Sequence, residues 1–185
     1  MERRCFPLRP APDPTVRFKG TYREAGWARA AAGAAADGAA YRMWERDDYP
    51  TWSLPALEAA KCAAAQGPET FERVHFALFE AFFGKGRNIA VRDEVLAVVR
   101  AAGVDEARFL QDFDAGRFRE EILAEYEEAH ARYGITAIPT VIFMDAATDE
   151  RSPGDRVKIT GAVPRAEYEQ VLAAQFGLRP VDGRG

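Results

Sequence analysis

The chain has 185 residues, 48% of them hydrophobic and 29% charged, and a formal net charge of −4. This composition is typical of one soluble globular domain, with or without a large insertion. The small negative charge and the scattered arginines give no electrostatic reason to expect nucleic acid or an anionic membrane as a partner. The N-terminal MERRCFPLRP lacks the apolar region of a secretory signal, and no apolar run reaches the roughly 18 residues of a membrane span, so we predict a cytoplasmic protein.

Residues 3–52 contain the first predicted elements. The segment RRCFPL (3–8) is a short strand candidate, and the Pro-rich RPAPDP that follows it predicts an extended loop. Alanine favours helix, so YREAGWARAAAGAAA (22–36) predicts a helix that ends near Gly38. The next segment is predicted to be irregular, with aromatic side chains that pack it against the helices, namely Tyr41, Trp44, Tyr49 and Trp52.

Two helices are predicted between residues 53 and 83. Ser53 is a good N-cap for LPALEAAKCAAAQ (54–66), Pro55 suits the first turn, and Gly67 ends the helix. The second helix, PETFERVHFALFEAFF (68–83), has apolar residues at the three- and four-residue spacing of a buried helix face. These predicted core positions are Phe71, Val74, Leu78 and Phe82.

Three more helices are predicted before Gly134. RDEVLAVVRAA (92–102) ends at Gly103, and DEARFLQDFDA (105–115) begins on an aspartate cap. RFREEILAEYEEAHARY (117–133) has an apolar stripe on one side, and its acidic residues predict a solvated face on the other.

The last part of the chain changes from helices to strands. TVIFM (140–144) and RVKIT (156–160) are rich in β-branched and aromatic residues and predict two strands, joined by DAATDERSPGD (145–155). A helix from about residue 164 to 176 follows. Pro139 precedes the first of these strands, and proline is tolerated mainly at the start, edge or bulge of a strand. The order predicts an α/β fold whose small sheet is interrupted by helices.

Several segments, in this order, resemble the DsbA-like thioredoxin-fold family: SLPALEAAKCAAAQG, FERVHFALFEAFFGKGRNIA, ARYGITAIPTVIF and ITGAVPRAEYEQVL. The branch that they resemble most is the FrnE-like oxidoreductases, which neighbour the 2-hydroxychromene-2-carboxylate isomerases and the kappa-class glutathione transferases. The resemblance covers nearly the whole chain and implies a thioredoxin-like fold with a large all-helical insertion. It implies a thioredoxin-like part at 1–16 and 117–178, an insertion at 17–116 and a C-terminal tail at 179–185.

The resemblance also implies where substrate binds. Pro139 would be cis and would lie opposite the redox cysteines of the family. Ile138 would offer its backbone to an extended substrate strand, and Thr140 would begin the strand behind the site. The implied substrate-binding residues are therefore Ile138, Pro139 and Thr140, and the implied partner is a protein or peptide thiol or disulfide.

The chemistry of the family needs a Cys-x-x-Cys pair at a helix N-terminus, where the helix dipole lowers the thiol pKa. The only cysteines in the 185 residues are Cys5 and Cys62, so this pair is absent. Residues 4–8 resemble the second strand of the family, and we therefore predict that the first strand and the first helix are missing. Three explanations stay open: a late start or a cut chain, a degenerate relative, and a strand donated by another chain.

The other polar candidates are predicted to have structural roles. Cys5 is expected to act as a small buried hydrophobe, and Cys62, in the middle of a helix, lacks the surroundings of a redox thiol. His75 is expected to pack on its helix, and His130 to interact with a helix C-terminus. Two histidines and two cysteines at these spacings do not suit a zinc site, and we predict neither a metal nor a cofactor.

Two turns bear on the choice of branch. GKGRNI (84–89) lacks the preceding strand and the Ser/Thr of a phosphate loop, so it predicts a helix-ending turn, and the resemblance implies that Arg87 and Asn88 border the cleft. GAVP (161–164) lacks the acid that the resemblance associates with glutathione binding in the kappa-class transferases. This favours the disulfide oxidoreductase branch.

We predict a DsbA-like thiol–disulfide oxidoreductase family protein that is inactive in thiol exchange as given. The alternative is a non-catalytic peptide-binding module, and a glutathione-dependent isomerase or transferase is less favoured. Whether the chain is an enzyme stays open because the catalytic pair is absent. A homodimer stays open as well.

Overall fold

The computed structural model describes residues 2–35, 38–144 and 157–178. The chain separates into two compact units, Met1–Glu128 and Ala129–Gly185. The predicted loop at 145–155, the first residue of the predicted strand at 156–160 and the predicted tail at 179–185 lie outside the described residues.

The first unit is helical. Its elements are α1 (Tyr22–Ala35), α2 (Leu54–Ala64), α3 (Pro68–Phe79), α4 (Arg92–Ala101), α5 (Glu106–Asp114) and α6 (Arg119–Ala131), which runs across the boundary between the units. A π-helical turn, Glu80–Gly84, continues α3. The six predicted helices are confirmed, with ends that differ by a few residues, as is usual where helices fray.

The core of the first unit surrounds α2, which packs on α3, α4 and α5. Val74, Val95 and Phe109 are fully buried there. The predicted core face of α3 is confirmed at Val74 and Leu78, whereas Phe71 is only half-buried.

A second, aromatic cluster holds the irregular segment that follows α1. Trp27 of α1 lies at its centre and donates its indole N–H to the carbonyl of Arg42 at 3.0 Å. This confirms that the segment packs on the helices, although Trp52 is half-buried outside the cluster. The members of the cluster are Phe18, Trp27, Tyr41, Trp44, Tyr49, Phe82 and Phe83.

Residues 3–8 form no strand, so that prediction is wrong. The N–H of Cys5 donates to the Glu125 carboxylate at 2.6 Å, and the N–H of Arg9 donates to Ser53 Oγ at 3.2 Å. The segment is irregular because these backbone groups bond to side chains instead of a neighbouring strand. Ser53 occupies the N-cap position of α2, but its side chain makes no cap hydrogen bond to the helix.

The predicted solvated acidic face of α6 is also partly wrong. Glu125 is only 8% exposed, and its carboxylate accepts from Lys61 Nζ of α2 at 2.6 Å. Glu121, one turn earlier, is 53% exposed and bonds to the same lysine at 2.7 Å. Charged groups are rarely buried without partners. The partners of Glu125 are Lys61 of α2 and the N–H of Cys5, so this residue of α6 links α2 to the N-terminal segment.

The second unit contains a two-stranded sheet and a helix. Strands β1 (Thr140–Phe143) and β2 (Val157–Thr160) are antiparallel, and helix α7 (Arg165–Phe176) follows them. Val141 and Phe143 pair with Ile159 and Val157, so the four side chains share one face. The Phe143 ring lies 6.4 Å from both Tyr168 and Phe176 of α7, which packs on this face.

The strands and the helix of this unit agree with the predicted α/β class. Within the described parts of the chain, no helix combines the length and the apolar character needed to cross a membrane.

Candidate functional site: the proline loop of the second unit

The loop between α6 and β1 is fixed by hydrogen bonds within the second unit. Gly134 adopts the left-handed conformation that ends a helix (φ 57°), and the N–H of Ile135 donates to the Ala129 carbonyl at 2.9 Å. Lys158 of β2 donates to the carbonyls of Tyr133 and Gly134 at 3.3 and 3.4 Å. Nothing in the sequence marks Lys158, because its partners are backbone atoms more than 20 residues away.

The three predicted substrate-binding residues follow this turn. The Ile138–Pro139 peptide bond is cis, which confirms that prediction. The Pro139 carbonyl accepts from the N–H of Gly161 at 2.8 Å, and Thr140 Oγ1 donates to the Ala137 carbonyl at 2.7 Å. The backbone is therefore held on both sides of Ile138, whose residue surface is 44% exposed.

Strand β1 has one edge without a strand partner among residues 2–35, 38–144 and 157–178. In an antiparallel ladder, residue pairs that are hydrogen-bonded alternate with pairs that are not. Pro139 and Gly161 form a hydrogen-bonded pair, so the next hydrogen-bonded pair is Val141 with Ile159. The backbone N–H and C=O of Thr140 and Ile142 therefore point away from β2. An edge of this kind can accept an extended polypeptide as an additional strand.

Neither cysteine has the properties of a redox thiol. Burial, with the nearby Glu125 carboxylate next, raises the pKa of Cys5 to about 12. Cys62 is 1% exposed, and burial, with Asp112 next, raises its pKa to about 12. Both are free thiols. Since the thiolate is the nucleophile, the raised pKa makes both side chains poor nucleophiles at neutral pH.

His75 and His130 occupy the helix positions that were predicted for them. The His75 ring stacks on Phe71 at 5.2 Å and touches Phe79 at 4.9 Å. Burial lowers the pKa of His75, and Arg3 lowers it further. His130 lies in the last turn of α6. In the described part of the chain, no group of three or more His, Cys, Asp or Glu side chains is arranged to hold a metal ion.

Asn88 is a buried part of the scaffold of the first unit. Its amide donates to the Asp48 carbonyl at 2.9 Å, and its side-chain oxygen accepts from the N–H of Ala90 at 3.1 Å. Arg87 pairs with Glu94 at 3.3 Å. These contacts fix the turn before α4, and the turn that was predicted for GKGRNI is confirmed.

The second unit has a cis-proline before its first strand and a helix after its second strand, and the same chain contains a helical unit. This is the arrangement of thioredoxin-like proteins with a helical insertion. The family model of the DSBA-like thioredoxin domain matches residues 44–173. The match covers more than half of the chain, and the chain belongs to this family.

Three curated relatives illustrate the similarity. The ClpXP adapter protein SpxH of Halalkalibacterium halodurans is 26% identical over 138 residues, which are 75% of this chain and 43% of the relative. SpxH of Shouchella clausii is 28% identical over 123 residues, which are 66% of this chain and 39% of the relative. The thiol:disulfide interchange protein DsbA of Pseudomonas syringae pv. tomato is 33% identical over 70 residues, which are 38% of this chain and 32% of the relative. The matched part is thus less than half the length of each relative.

Proposed function

We propose that this chain is a protein-binding member of the DsbA-like family that performs no thiol–disulfide exchange with its own cysteines. Its binding site is the proline loop, where Ile138, Pro139 and Thr140 hold an extended segment of a partner protein. The observation that carries this proposal is the edge of β1, which has no strand partner among the described residues and begins beside the exposed Ile138.

The chemistry of this edge suits an extended polypeptide. The outward N–H and C=O groups of Thr140 and Ile142 offer main-chain hydrogen bonds to a partner strand. Ile138 offers an apolar contact at the start of that strand. Hydrogen bonds to Gly161 and Ala137 hold the loop in place before a partner binds. A site that is already ordered loses less conformational entropy on binding.

The relatives support a binding role. Two of them are ClpXP adapter proteins by name, and an adapter acts by binding another protein. Within the family we favour the FrnE-like branch, because residues 161–164 (GAVP) contain no acid that could help to hold glutathione.

The second candidate function is the thiol–disulfide exchange of the family. The relative named as a thiol:disulfide interchange protein favours it. It requires a thiolate that attacks a disulfide, and the raised pKa values of Cys5 and Cys62 disfavour a thiolate at neutral pH.

In an insulin-reduction assay with dithiothreitol, the chain should give no turnover above the uncatalysed rate. A rise in thiol pKa from 9.0 to about 12 lowers the thiolate fraction at neutral pH about a thousandfold. The double variant Cys5→Ala/Cys62→Ala is the matched control and should be indistinguishable from the parent. Turnover that disappears in the double variant would show that one of these thiols is catalytic.

Ile138→Asp should weaken the binding of an unfolded protein at least tenfold, because it places a charge in the apolar contact beside the strand edge. The probe is a reduced, carboxymethylated protein that cannot fold, and the measurement is isothermal titration calorimetry. Leu178→Asp, at another exposed apolar residue of the second unit, is the control and should leave the affinity unchanged. Equal affinities for the parent and Ile138→Asp, or no binding by the parent, would overturn the proposed site.

A further inference from the structure

Strand β2 has an open edge on the side away from β1. Among the described residues, β2 pairs with β1 alone. The backbone groups of Val157 and Ile159 face β1, so the N–H and C=O of Lys158 and Thr160 point outwards. This edge is on the opposite side of the sheet from the β1 edge of the proposed function, and the two can therefore act independently.

An open groove of about 630 Å³ lies along this edge, between β2 and α7. Val157 and Ile159 of β2, with Val171 and Ala174 of α7, give the groove an apolar lining. Its other lining residues are polar residues of α7, namely Glu167, Gln170 and Gln175. All of the lining comes from β2 and α7, so the groove opens on the outer side of β2.

The groove contains a carboxylate that has no partner among the described residues. Helix α7 has three charged residues, and two of them, Arg165 and Glu169, pair with each other at 2.6 Å. The third, Glu167, is exposed, lines the groove and makes no side-chain ion pair within the described part of the chain. Lys158 lies on the other face of the sheet, where its ammonium donates to two backbone carbonyls. The described lining of the groove therefore carries a negative charge.

We propose that β2 and α7 bind an extended segment of a partner protein that carries a basic residue. The segment adds a strand to β2 by hydrogen bonds to Lys158 and Thr160. Every second side chain of that strand lies on the same face as Ile159, in the groove. Residues 161–164 alone join β2 to α7, which keeps Glu167, in the first turn of the helix, near this end of the strand.

Two features of the site select this occupant. The outward N–H and C=O groups of β2 need main-chain donors and acceptors, which an extended polypeptide supplies in the right spacing. A carboxylate beside an apolar lining favours a cation on an apolar stem, as in lysine and arginine. An acidic segment would place like charges together at Glu167 and is disfavoured.

A palindromic peptide tests both features whichever way the strand runs. The probe is acetyl-Thr-Arg-Thr-Val-Thr-Arg-Thr-amide, which presents both arginines and the valine on one face when it is extended. The matched probe has glutamate in place of both arginines. In an NMR titration of the isotopically labelled full chain, the arginine probe should shift the backbone amides of Lys158 and Thr160. It should bind about tenfold more tightly than the glutamate probe, and this preference should fall as salt rises.

Three variants locate the interaction. Glu167→Lys should reverse the preference, so that the glutamate probe binds about tenfold more tightly than the arginine probe. Glu169→Lys makes the same charge change on the same helix but outside the lining of the groove, and should keep the preference of the parent. Thr160→Pro removes an outward N–H and no bond of the β1–β2 ladder, so it should weaken both probes about fivefold, the effect of one lost hydrogen bond. Circular dichroism verifies that each variant retains its helices.

Several results would overturn this proposal. These are a parent that binds neither probe at millimolar concentration, and a preference for arginine that survives Glu167→Lys or is lost equally in Glu169→Lys. Shifts confined to Thr140 and Ile142 would place the peptide on the β1 edge instead. Amides of β2 that shift with the concentration of the chain, and not with the probe, would show that a second copy occupies the edge.

Discussion

Glu125→Leu should lower the free energy of unfolding by about 2–4 kcal/mol, somewhat less than the roughly 3–5 kcal/mol lost when one partner of a fully buried ion pair is removed. Lys61 is only 17% exposed and lies 2.6 Å from the Glu125 carboxylate. The N–H of Cys5 bonds to the other carboxylate oxygen at 2.6 Å. The variant therefore leaves a half-buried ammonium with one partner fewer and an amide without its acceptor. The residual pairing of Lys61 with Glu121 keeps the loss below that of a fully isolated charge.

Glu121→Gln is the matched control. Glu121 lies one turn earlier on the same helix and bonds to the same lysine, but it is 53% exposed. Because water screens that pair, its loss should cost no more than about 0.5 kcal/mol. Urea denaturation followed by circular dichroism measures both variants. Similar losses for the two would mean that burial of Glu125 does not govern the strength of this link.

The helices of this chain could be predicted because their signals are local. Asp105 accepts from the N–H of Arg108, as a cap residue does, and Pro55 lies in the first turn of α2. Val74 and Leu78 follow the spacing of a buried helix face. Such signals depend only on neighbouring residues.

The strand predicted at residues 3–8 was wrong because a strand needs a partner that local sequence does not supply. There the N–H of Cys5 bonds to a side chain from α6. The acidic face of α6 was misjudged for the same reason. Glu121 and Glu125 look alike in the sequence, and only contacts distant along the chain, with Lys61 and Cys5, bury one of them.

The candidate site was predicted from a family resemblance more than from local physics. Pro139 is compatible with either isomer in the sequence alone, and the resemblance implied the cis form that the structure has. The hydrogen bonds that hold the loop could not be predicted, because Gly161 and Lys158 reach it from β2 and from the turn after it. The binding roles of Ile138, Pro139 and Thr140 remain predictions.

Trp27→Ala should lower the free energy of unfolding by about 3–5 kcal/mol, the usual cost of truncating a large buried aromatic side chain. Trp27 is 8% exposed, and its ring lies within 5.0–5.8 Å of the rings of four neighbours. These neighbours are Phe18, Tyr41, Phe82 and Phe83. The variant should therefore loosen the whole aromatic cluster, and with it the irregular segment that precedes α2.

Two conservative variants separate packing from hydrogen bonding in this cluster. Trp27→Phe and Trp44→Phe each replace an indole by a phenyl ring in a buried position. The indole N–H of Trp27 donates to the Arg42 carbonyl at 3.0 Å, whereas that of Trp44 is buried with no hydrogen-bond partner among the described residues. Trp27→Phe loses a hydrogen bond, and Trp44→Phe removes a donor that is already unsatisfied. Trp27→Phe should thus be less stable than Trp44→Phe by about 1 kcal/mol or more in thermal or urea unfolding. The reverse order would mean that the Arg42 carbonyl bond contributes nothing and that the cluster depends on ring packing alone.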